Sequence, residues 1–236
     1  KIFPAVHYSM GGLWVDYDQM TEIPGLFAAG ECDYSQHGAN RLGANSLLSA
    51  IYGGMVAGPN AVKYIKGLKK HAEDLPEEIF TRREKEEQEK WEAILKMDGT
   101  ENAYLLHKEL GEWMTDNMTV VRVNSKLEET YKKLTELQER WENININDTQ
   151  KWSNQGAHFT RQLKNMLYLA KVMTKGALLR NESRGAHYKP EFPERDDENF
   201  LKTTMAKFDP ATGEPIITYQ EVDVSLIPPR KRDYSK

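Results

Sequence analysis

Four consecutive amphipathic segments in the middle of the chain constrain its fold most strongly. Between residues 76 and 180, apolar side chains recur at the spacing of an α-helix and charged residues fill the positions between them. Each segment has one apolar stripe that it cannot bury alone, so together they predict an antiparallel helical bundle with a shared core. The predicted helices cover residues 76–97, about 101–117, 125 through at least 141, and about 154–180.

Local signals mark where these helices begin and which side chains face inward. Pro76 suits a first helical position, and Asp98-Gly99 ends the first helix. Ser125-Lys126-Leu127-Glu128 has the pattern of a capping box and is predicted to open the third helix. The fourth helix is expected to turn six residues toward the core: Phe159, Leu163, Met166, Leu167, Ala170 and Met173.

The first sixty residues have a different composition, rich in glycine and short apolar runs, as in α/β domains. Residues 11–16 and 26–29 are predicted to be short strands, each beside a glycine turn. An apolar helical pattern starts at Leu47 and is expected to fade near Gly58-Pro59-Asn60.

The last fifty residues are predicted to be irregular, because Pro190, Pro193 and Pro210 forbid a long helix. Asp209 to Gly213 is expected to separate two short strands, the second at 216–219. The fold class is therefore α+β and mostly helical, with predicted domains at 1–63, 64–186 and 187–236. The basic tail at 228–232 is interpreted as a solvated terminus.

Composition excludes several classes of protein. The 236 residues carry a formal net charge of -4 with neither sign dominant, so no nucleic-acid partner is expected. One cysteine forbids an internal disulfide, and no Cys/His cluster has the spacing of a metal site. No apolar run approaches the ~20 residues of a membrane span. Since the chain opens with Lys1 rather than Met, we expect a piece of a longer protein.

The run from His37 to Leu48 is the best candidate for binding chemistry. It is a loop of small residues that leads into a helix, and the first N–H groups of a helix favour an anion. Arg41 adds a planar fork of donors suited to a carboxylate or a phosphate. An ordinary loop with a surface arginine has the same pattern, so these residues alone leave both interpretations open.

Two further residues gain meaning from their positions. Glu31 follows a predicted buried strand, where an acidic side chain commonly accepts ribose hydroxyls in α/β proteins. His7 precedes the pair Gly11-Gly12, where a ligand can approach the backbone. Taken singly, His7 is more often structural and Glu31 is as often solvent-exposed as it is a ligand.

Several runs in order carry a family resemblance: His7–Gly12, Gly25–Glu31, His37–Leu48, and Glu182–His187 followed by Phe192–Asp197. Together they resemble the flavoprotein subunit of succinate dehydrogenase and fumarate reductase. The tail Ile227–Tyr234 is similar to that of Bacillus-type members. The resemblance spans essentially the whole chain and implies that residues 1–63 are the C-terminal part of an FAD-binding domain.

The resemblance implies a role for five residues. His7 and Arg41 would bind the two carboxylates of succinate or fumarate, and Glu31 would bind the FAD ribose. Ser46 and Leu47 would offer backbone N–H groups to the pyrimidine edge of the flavin, near the positive end of the helix dipole. The reaction implied is oxidation of succinate by hydride transfer to FAD.

The resemblance also implies what this chain lacks. The Gly-rich dinucleotide fingerprint, the histidine bonded covalently to FAD, and the capping domain with its proton-shuttling arginine have no matching positions here. No catalytic residue is therefore assigned, and the chain alone is expected to be inactive. Ala44 stands where relatives often carry glycine.

As partners, the resemblance implies an iron–sulfur subunit that passes electrons to quinone, and a cytochrome b membrane anchor. The chain would then lie at the cytoplasmic face of a bacterial membrane, held only through these subunits. Three alternatives remain open from the sequence: a fumarate reductase, an L-aspartate oxidase of the same family, and a non-catalytic helical interaction module.

Overall fold

The computed structural model describes residues 7–34 and 37–230. The chain divides into two compact units, with the boundary between residues 87 and 88. Within this part of the chain the fold is mostly helical with a small antiparallel sheet, as predicted. The helices are α1 Asn45–Gly67, α2 Glu77–Leu95, α3 Ala103–Met118, α4 Asn124–Trp141, α5 Gln155–Leu179 and α6 Asp197–Phe200. The strands are β1 Lys202–Asp209 and β2 Glu214–Glu221, with single 3₁₀ turns at Gly30–Cys32 and Ala72–Asp74.

The core of the second unit lies between the end of α2 and helices α3, α4 and α5. Leu106, Leu134 and Leu163, one from each of the last three helices, are fully buried there. Trp141 closes the end of α4 and donates its indole N–H to the carbonyl of Thr160 at 2.8 Å. The predicted bundle is confirmed, and Met173, predicted to face inward, instead has 52% of its surface exposed.

The start of α4 differs from the sequence prediction. The helix begins at Asn124 with Val123 as its N-cap, and no side chain caps it, so the capping box at Ser125 is wrong. The backbone N–H of Asn124 instead donates to Glu191 Oε2 at 2.7 Å. A carboxylate from a distant segment satisfies the helix end, which local sequence cannot reveal.

The predicted pair of C-terminal strands is confirmed as a hairpin. β1 and β2 pair antiparallel from Lys202–Glu221 to Asp209–Glu214. In the turn, Gly213 has φ 70° and the Asp209 carboxylate accepts bonds from Ala211 and Thr212. Lys171 of α5 ties the hairpin to the bundle, because its Nζ donates to Glu214 Oε1 at 2.6 Å.

The first unit has no regular strand among its described residues. The segments predicted as strands are joined by one bridge each, Leu13 with Asp33 and Met20 with Phe27. A strand needs a ladder of hydrogen bonds, and one bridge does not make one. The two strand predictions are therefore wrong for these residues.

Helix α1 continues through Pro59 to Gly67, so its predicted end near residues 58–60 is also wrong. Proline removes one N–H from the helix, and Asn60 Nδ2 donates to the carbonyl of Val56 at 3.1 Å within the same turn. The division into domains at 63 and 186 stays a prediction. The end of the predicted basic tail, residues 231 and 232, lies outside the described residues.

None of the helices in the ranges 7–34 and 37–230 has the length and apolar character that crossing a bilayer requires.

Candidate functional site

Three of the sequence runs meet around Tyr8 in the first unit. The ring of Tyr8 lies 4.8 Å from the guanidinium carbon of Arg41, and its hydroxyl lies 3.1 Å from Nε2 of His37. The same hydroxyl lies 3.4 Å from Oγ of Ser49, which is buried on α1. The segment at 7–10, the loop at 37–44 and helix α1 are therefore joined at one side chain.

Arg41 is held without neutralising its charge. Its backbone N–H donates to Met10 Sδ at 3.0 Å, and its Nη1 donates to the carbonyl of Leu42 at 3.2 Å. No carboxylate within the described part of the chain lies at ion-pair distance from its guanidinium. Because a half-buried cation without a counter-ion attracts an anion, Arg41 fits the role predicted for it.

His7 is exposed and directly precedes Tyr8, whose ring faces Arg41. Its imidazole makes no hydrogen bond to any of the described residues, so both ring nitrogens are available to a ligand. The structure thus brings the segment that carries His7 to the loop that carries Arg41. The joint role of the two side chains on one substrate stays a prediction.

Glu31 lies in the 3₁₀ turn that follows residues 26–29. Its Oε1 accepts the N–H of Ser9 at 2.8 Å, and Oε2 has no partner in the described ranges. Gly12 lets the backbone of its own segment lie close to the turn that carries Glu31, because a Cβ at Gly12 would lie 2.2 Å from the carbonyl oxygen of Cys32. The exposed carboxylate is therefore fixed at one oxygen and open at the other, as acceptance of a ligand hydroxyl requires.

The N-terminus of α1 lies beside this turn. Gly53 lets the helix approach, since a Cβ there would lie 3.0 Å from Cβ of Ala29. The N-cap Ala44 has φ 64° and ψ -10°, and no side chain caps the helix. The first-turn N–H groups at Ser46 and Leu47 are accordingly available to an acceptor from a ligand.

An apolar surface extends along α1 from that end. Its members are large side chains with 60–73% of their surface exposed: Leu47, Leu48, Ile51, Tyr52 and Met55. An open helix end, an adjacent apolar surface and a nearby carboxylate fit three parts of FAD: the polar edge of the flavin, its apolar ring and a ribose hydroxyl. These residues could hold only part of the cofactor.

Sequence reasoning missed Tyr8, Met10 and His37 as members of this site. Tyr8 and Met10 lie in the same run as His7, and His37 begins the run that contains Arg41. Their positions were visible in the sequence, but their contacts join residues about thirty positions apart. No local pattern predicts such tertiary contacts.

A second polar cluster lies in the C-terminal unit, between α5, α4 and the irregular segment at 180–200. Glu182 is fully buried and accepts bonds from Arg180 and Arg184 at 2.8–3.0 Å. Lys189 is fully buried too, and its Nζ donates to three oxygens, those of Asn124, Leu178 and Asn181. The cluster ties the irregular segment to the bundle and presents no open group.

His187 belongs to the same cluster. Its Nδ1 accepts from Arg122 Nη1 at 2.6 Å, and its Nε2 donates to the carbonyl of Arg180 at 2.9 Å. Burial, together with the charges of three neighbouring cations, lowers the pKa of His187 to about 4. It is therefore a neutral structural histidine. In the described ranges, no three His, Cys, Asp or Glu side chains are grouped as metal ligands.

Comparison with protein-family models covers both ends of the chain. The model described as fumarate reductase flavoprotein C-term matches residues 107–234. The model described as FAD binding domain matches residues 1–47, which include His7, Glu31 and Arg41. The second match indicates FAD as the cofactor.

Curated relatives match over nearly the full chain. The succinate dehydrogenase flavoprotein subunit of Bacillus subtilis is 72% identical over 236 residues, covering 100% of this chain and 40% of the relative. The fumarate reductase flavoprotein subunit of Escherichia coli is 36% identical, covering 98% of this chain and 38% of the relative. The chain thus spans about two fifths of the length of these relatives.

Solved structures of similar fold are flavoprotein-family members. A quinol fumarate reductase of E. coli superposes with TM-score 0.88 at 36% identity, covering 95% of this chain and 38% of its own. Mycobacterium smegmatis Sdh1 in complex with UQ1 superposes with TM-score 0.79 at 31% identity, covering 95% of this chain and 36% of its own.

Proposed function

The chain belongs to the family of succinate dehydrogenase and fumarate reductase flavoproteins, and from this premise we propose that it is the C-terminal part of a succinate dehydrogenase flavoprotein subunit. In the intact protein the reaction is oxidation of succinate to fumarate. The 72% identity to a succinate dehydrogenase subunit, against 36% to a fumarate reductase subunit, favours this direction.

The observation that carries the proposal is the guanidinium of Arg41, which has no carboxylate at ion-pair distance among the described residues and lies next to the segment of His7. The Arg41 fork binds one carboxylate of the substrate, and the His7 imidazole donates a hydrogen bond to the other. Binding at both ends fixes the carbons between them, which lowers the entropic cost of reaching the reactive geometry.

Three other residues support the cofactor in this proposal. Glu31 Oε2 accepts a hydroxyl of the ribose, and the N–H groups of Ser46 and Leu47 donate to the pyrimidine edge of the flavin. FAD, when bound, supplies the hydride acceptor. The open N-terminus of α1 stabilises negative charge at that edge, because its dipole places positive charge there before the reaction begins.

The proposal extends to organisation and partners. Residues 1–63 complete the FAD-binding domain, 64–186 form the helical domain and 187–236 form a small C-terminal domain. The relatives are named as subunits, and we assign this chain the same place beside an iron–sulfur subunit and a cytochrome b anchor. Those subunits accept the electrons for quinone and hold the protein at the cytoplasmic face of the membrane.

Arg41→Lys in a full-length flavoprotein that contains this chain tests the proposal. Lysine keeps the charge and loses the fork, so kcat/KM for succinate should fall roughly 10- to 100-fold, the value of a charge-assisted hydrogen bond. Arg82→Lys, at an exposed position of α2, is the matched control and should leave the kinetics unchanged. Unchanged kinetics in Arg41→Lys would remove Arg41 from the substrate site.

Substrate profile separates the proposal from its alternatives. Oxidation of L-aspartate without oxidation of succinate would make the protein an L-aspartate oxidase. Much faster fumarate reduction than succinate oxidation at matched potentials would make it a fumarate reductase. The isolated chain, which offers only part of a cofactor site, should lose added FAD on gel filtration. Stoichiometric retention would contradict that expectation.

A further inference from the structure

We propose that Tyr8 is a positioning residue for Arg41. The ring of Tyr8 holds the Arg41 guanidinium against its face, so that the donor fork stays aimed at the substrate carboxylate. This inference rests on the proposed function, and it concerns how the arginine is oriented rather than which groups touch the substrate.

The Tyr8 hydroxyl is part of a directed chain of hydrogen bonds. Ser49 Oγ donates to the carbonyl of Ser46 at 2.9 Å, so at its contact with Tyr8 it accepts. The Tyr8 hydroxyl donates to Ser49 and accepts from Nε2 of His37. Both contacts act at the para position of the ring, and together they fix its orientation relative to α1 and the loop.

His37 restrains the ring in a second way. The two rings meet edge to face, with centroids 5.2 Å apart and planes at 80°. An edge-to-face pair is favoured by the quadrupole of the aromatic ring. Hydroxyl contacts at one end and an imidazole at the side leave Tyr8 little freedom, so its face is a rigid platform for Arg41.

A ring face suits this arginine better than a carboxylate would. The ring face attracts the cation through the quadrupole of the ring. It accepts no hydrogen bond from the N–H groups, which point outward in the plane of the guanidinium. Among the described residues, the only hydrogen bond that the Arg41 side chain donates in this plane runs from Nη1 to the carbonyl of Leu42. Within residues 7–34 and 37–230, nothing accepts from the remaining donors and no carboxylate compensates the positive charge, which is the state that a dicarboxylate requires.

The inference predicts which property of Tyr8 matters. If the ring face orients Arg41, an aromatic replacement retains function and an aliphatic one does not. If Tyr8 instead touches the substrate through its hydroxyl, loss of the hydroxyl alone is damaging. Tyr8→Phe and Tyr8→Leu therefore give opposite orders of severity for the two roles.

The experiment uses the full-length holoenzyme with succinate as substrate and malonate as a non-reacting dicarboxylate. Tyr8→Leu should raise the KM for succinate and the Kd for malonate roughly 2- to 5-fold, the range of a cation–π contact at a partly exposed site. Its kcat should change by less than a factor of two. Tyr8→Phe should stay within a factor of two of wild type in all three quantities, because the edge-to-face contact with His37 still holds the ring when the hydroxyl contacts are lost.

Tyr17→Leu is the matched control, since Tyr17 is 94% exposed in the same unit, and it should change nothing. FAD content and Tm are measured for every variant. If Tyr8→Leu does not load FAD, a variant with pentafluorophenylalanine in place of Tyr8 replaces it as the test of the ring face. It keeps the shape of the ring and reverses its quadrupole, so it should weaken malonate binding while Tyr8→Phe does not.

Each outcome has one meaning. Unchanged malonate affinity in Tyr8→Leu, or in the fluorinated variant when that one decides, overturns the inference alone. A loss in Tyr8→Phe as large as in Tyr8→Leu also overturns it, in favour of the hydroxyl. A wild-type holoenzyme that neither oxidises succinate nor binds malonate overturns the proposed function itself, and this inference with it.

Discussion

Ala44 adopts a left-handed backbone conformation, with φ 64° and ψ -10°, immediately before α1. This conformation costs an L-residue about 1–2 kcal/mol, whereas glycine adopts it freely but loses more entropy on folding. Ala44→Gly should therefore raise the free energy of unfolding by about 0.5–1 kcal/mol.

The measurement for Ala44 is the Tm of the full-length holoenzyme. Ala57→Gly, inside α1, is the matched control and should lower stability by about 0.5–1 kcal/mol, because glycine is a poor helix former. Shifts of opposite sign would support the strained N-cap. Destabilisation by both substitutions would show that Ala44 is not in a left-handed conformation.

His187 should make the C-terminal unit sensitive to acid. Burial lowers its pKa to about 4, whereas the unfolded chain binds a proton near pH 6.5. Because the unfolded state gains the proton first, stability contributed by His187 is full above pH 6.5 and is lost as the pH falls toward 4. The loss reaches about 3 kcal/mol.

Urea unfolding at pH 6.5 and pH 4.5 measures this loss. His187→Gln should be less stable than wild type at pH 6.5, since it disturbs the bonds to Arg122 and Arg180, yet its stability should fall less between the two pH values. His107→Gln, at an exposed position of α3, should keep the wild-type pH dependence. An equal pH dependence for all three proteins would exclude a depressed pKa at His187.

At this scale the sequence yields side-chain chemistry and not contacts. Arg41 and Glu31 could be chosen as candidates from their side chains and their places after a loop of small residues and an apolar segment, but only the family resemblance favoured a ligand over solvent for either one. The ring that supports Arg41 could not be chosen, since Tyr8 lies 33 positions away and any nearby aromatic residue would have looked equivalent.

At the scale of elements, the helices of the bundle were predictable because their apolar spacing is local information. Asn154 was predictable as a helix boundary for the same reason, and its side chain does cap α5 by accepting the N–H of Ala157 at 2.9 Å. The start of α4 and the passage of α1 through Pro59 were not. The start of α4 depends on the distant Glu191, which accepts the N–H of Asn124, and α1 continues past Pro59 although proline offers no N–H to the helix.

Arg140 joins α4 to α3 through several carboxylates. It donates to Glu101 and Glu109 at 2.8 Å and to Glu136 at 3.3 Å, and Lys133 also binds Glu109. Arg140→Met leaves three carboxylates close together, and should destabilise the unit by about 1–2 kcal/mol at pH 7, since the network is partly exposed.

The same network fixes how that loss varies with pH. The hydrogen bond that Arg140 donates lowers the pKa of Glu101, and the hydrogen bond that Lys133 donates lowers the pKa of Glu109. Depressed carboxyl pKa values stabilise the fold above about pH 4.5, and this contribution is lost as the pH falls further. Unfolding curves of wild type and Arg140→Met should therefore converge near pH 3, whereas the exposed control Lys126→Met should match wild type throughout. A constant difference at every pH would exclude the ionic origin.

At the scale of the whole molecule, the two units differ in how much of their apolar surface they bury. In the second unit the apolar residues of α3, α4 and α5 close on each other. In the described part of the first unit, the buried hydrophobic residues are Val15 and Ala28, while α1 exposes its largest apolar side chains. Consecutive amphipathic helices are expected to pack against one another, so their pattern indicates the packing partner of each helix. Short apolar runs near glycines do not indicate which segment they pack against. This is why the sequence predicts the bundle well and wrongly predicts strands in the first unit, where the described residues form none.

That difference predicts which part of the chain folds alone. A polypeptide of residues 76–236 keeps α2 whole and retains the entire core, so it should unfold cooperatively in urea with a free energy of about 5–10 kcal/mol. Residues 1–75 bury too little apolar surface to offset their conformational entropy, and should show no cooperative transition. Circular dichroism and tryptophan fluorescence, followed together, measure both transitions. Coincident curves for 76–236 are expected, and a sloping, non-coincident transition there would mean that its core depends on the first unit.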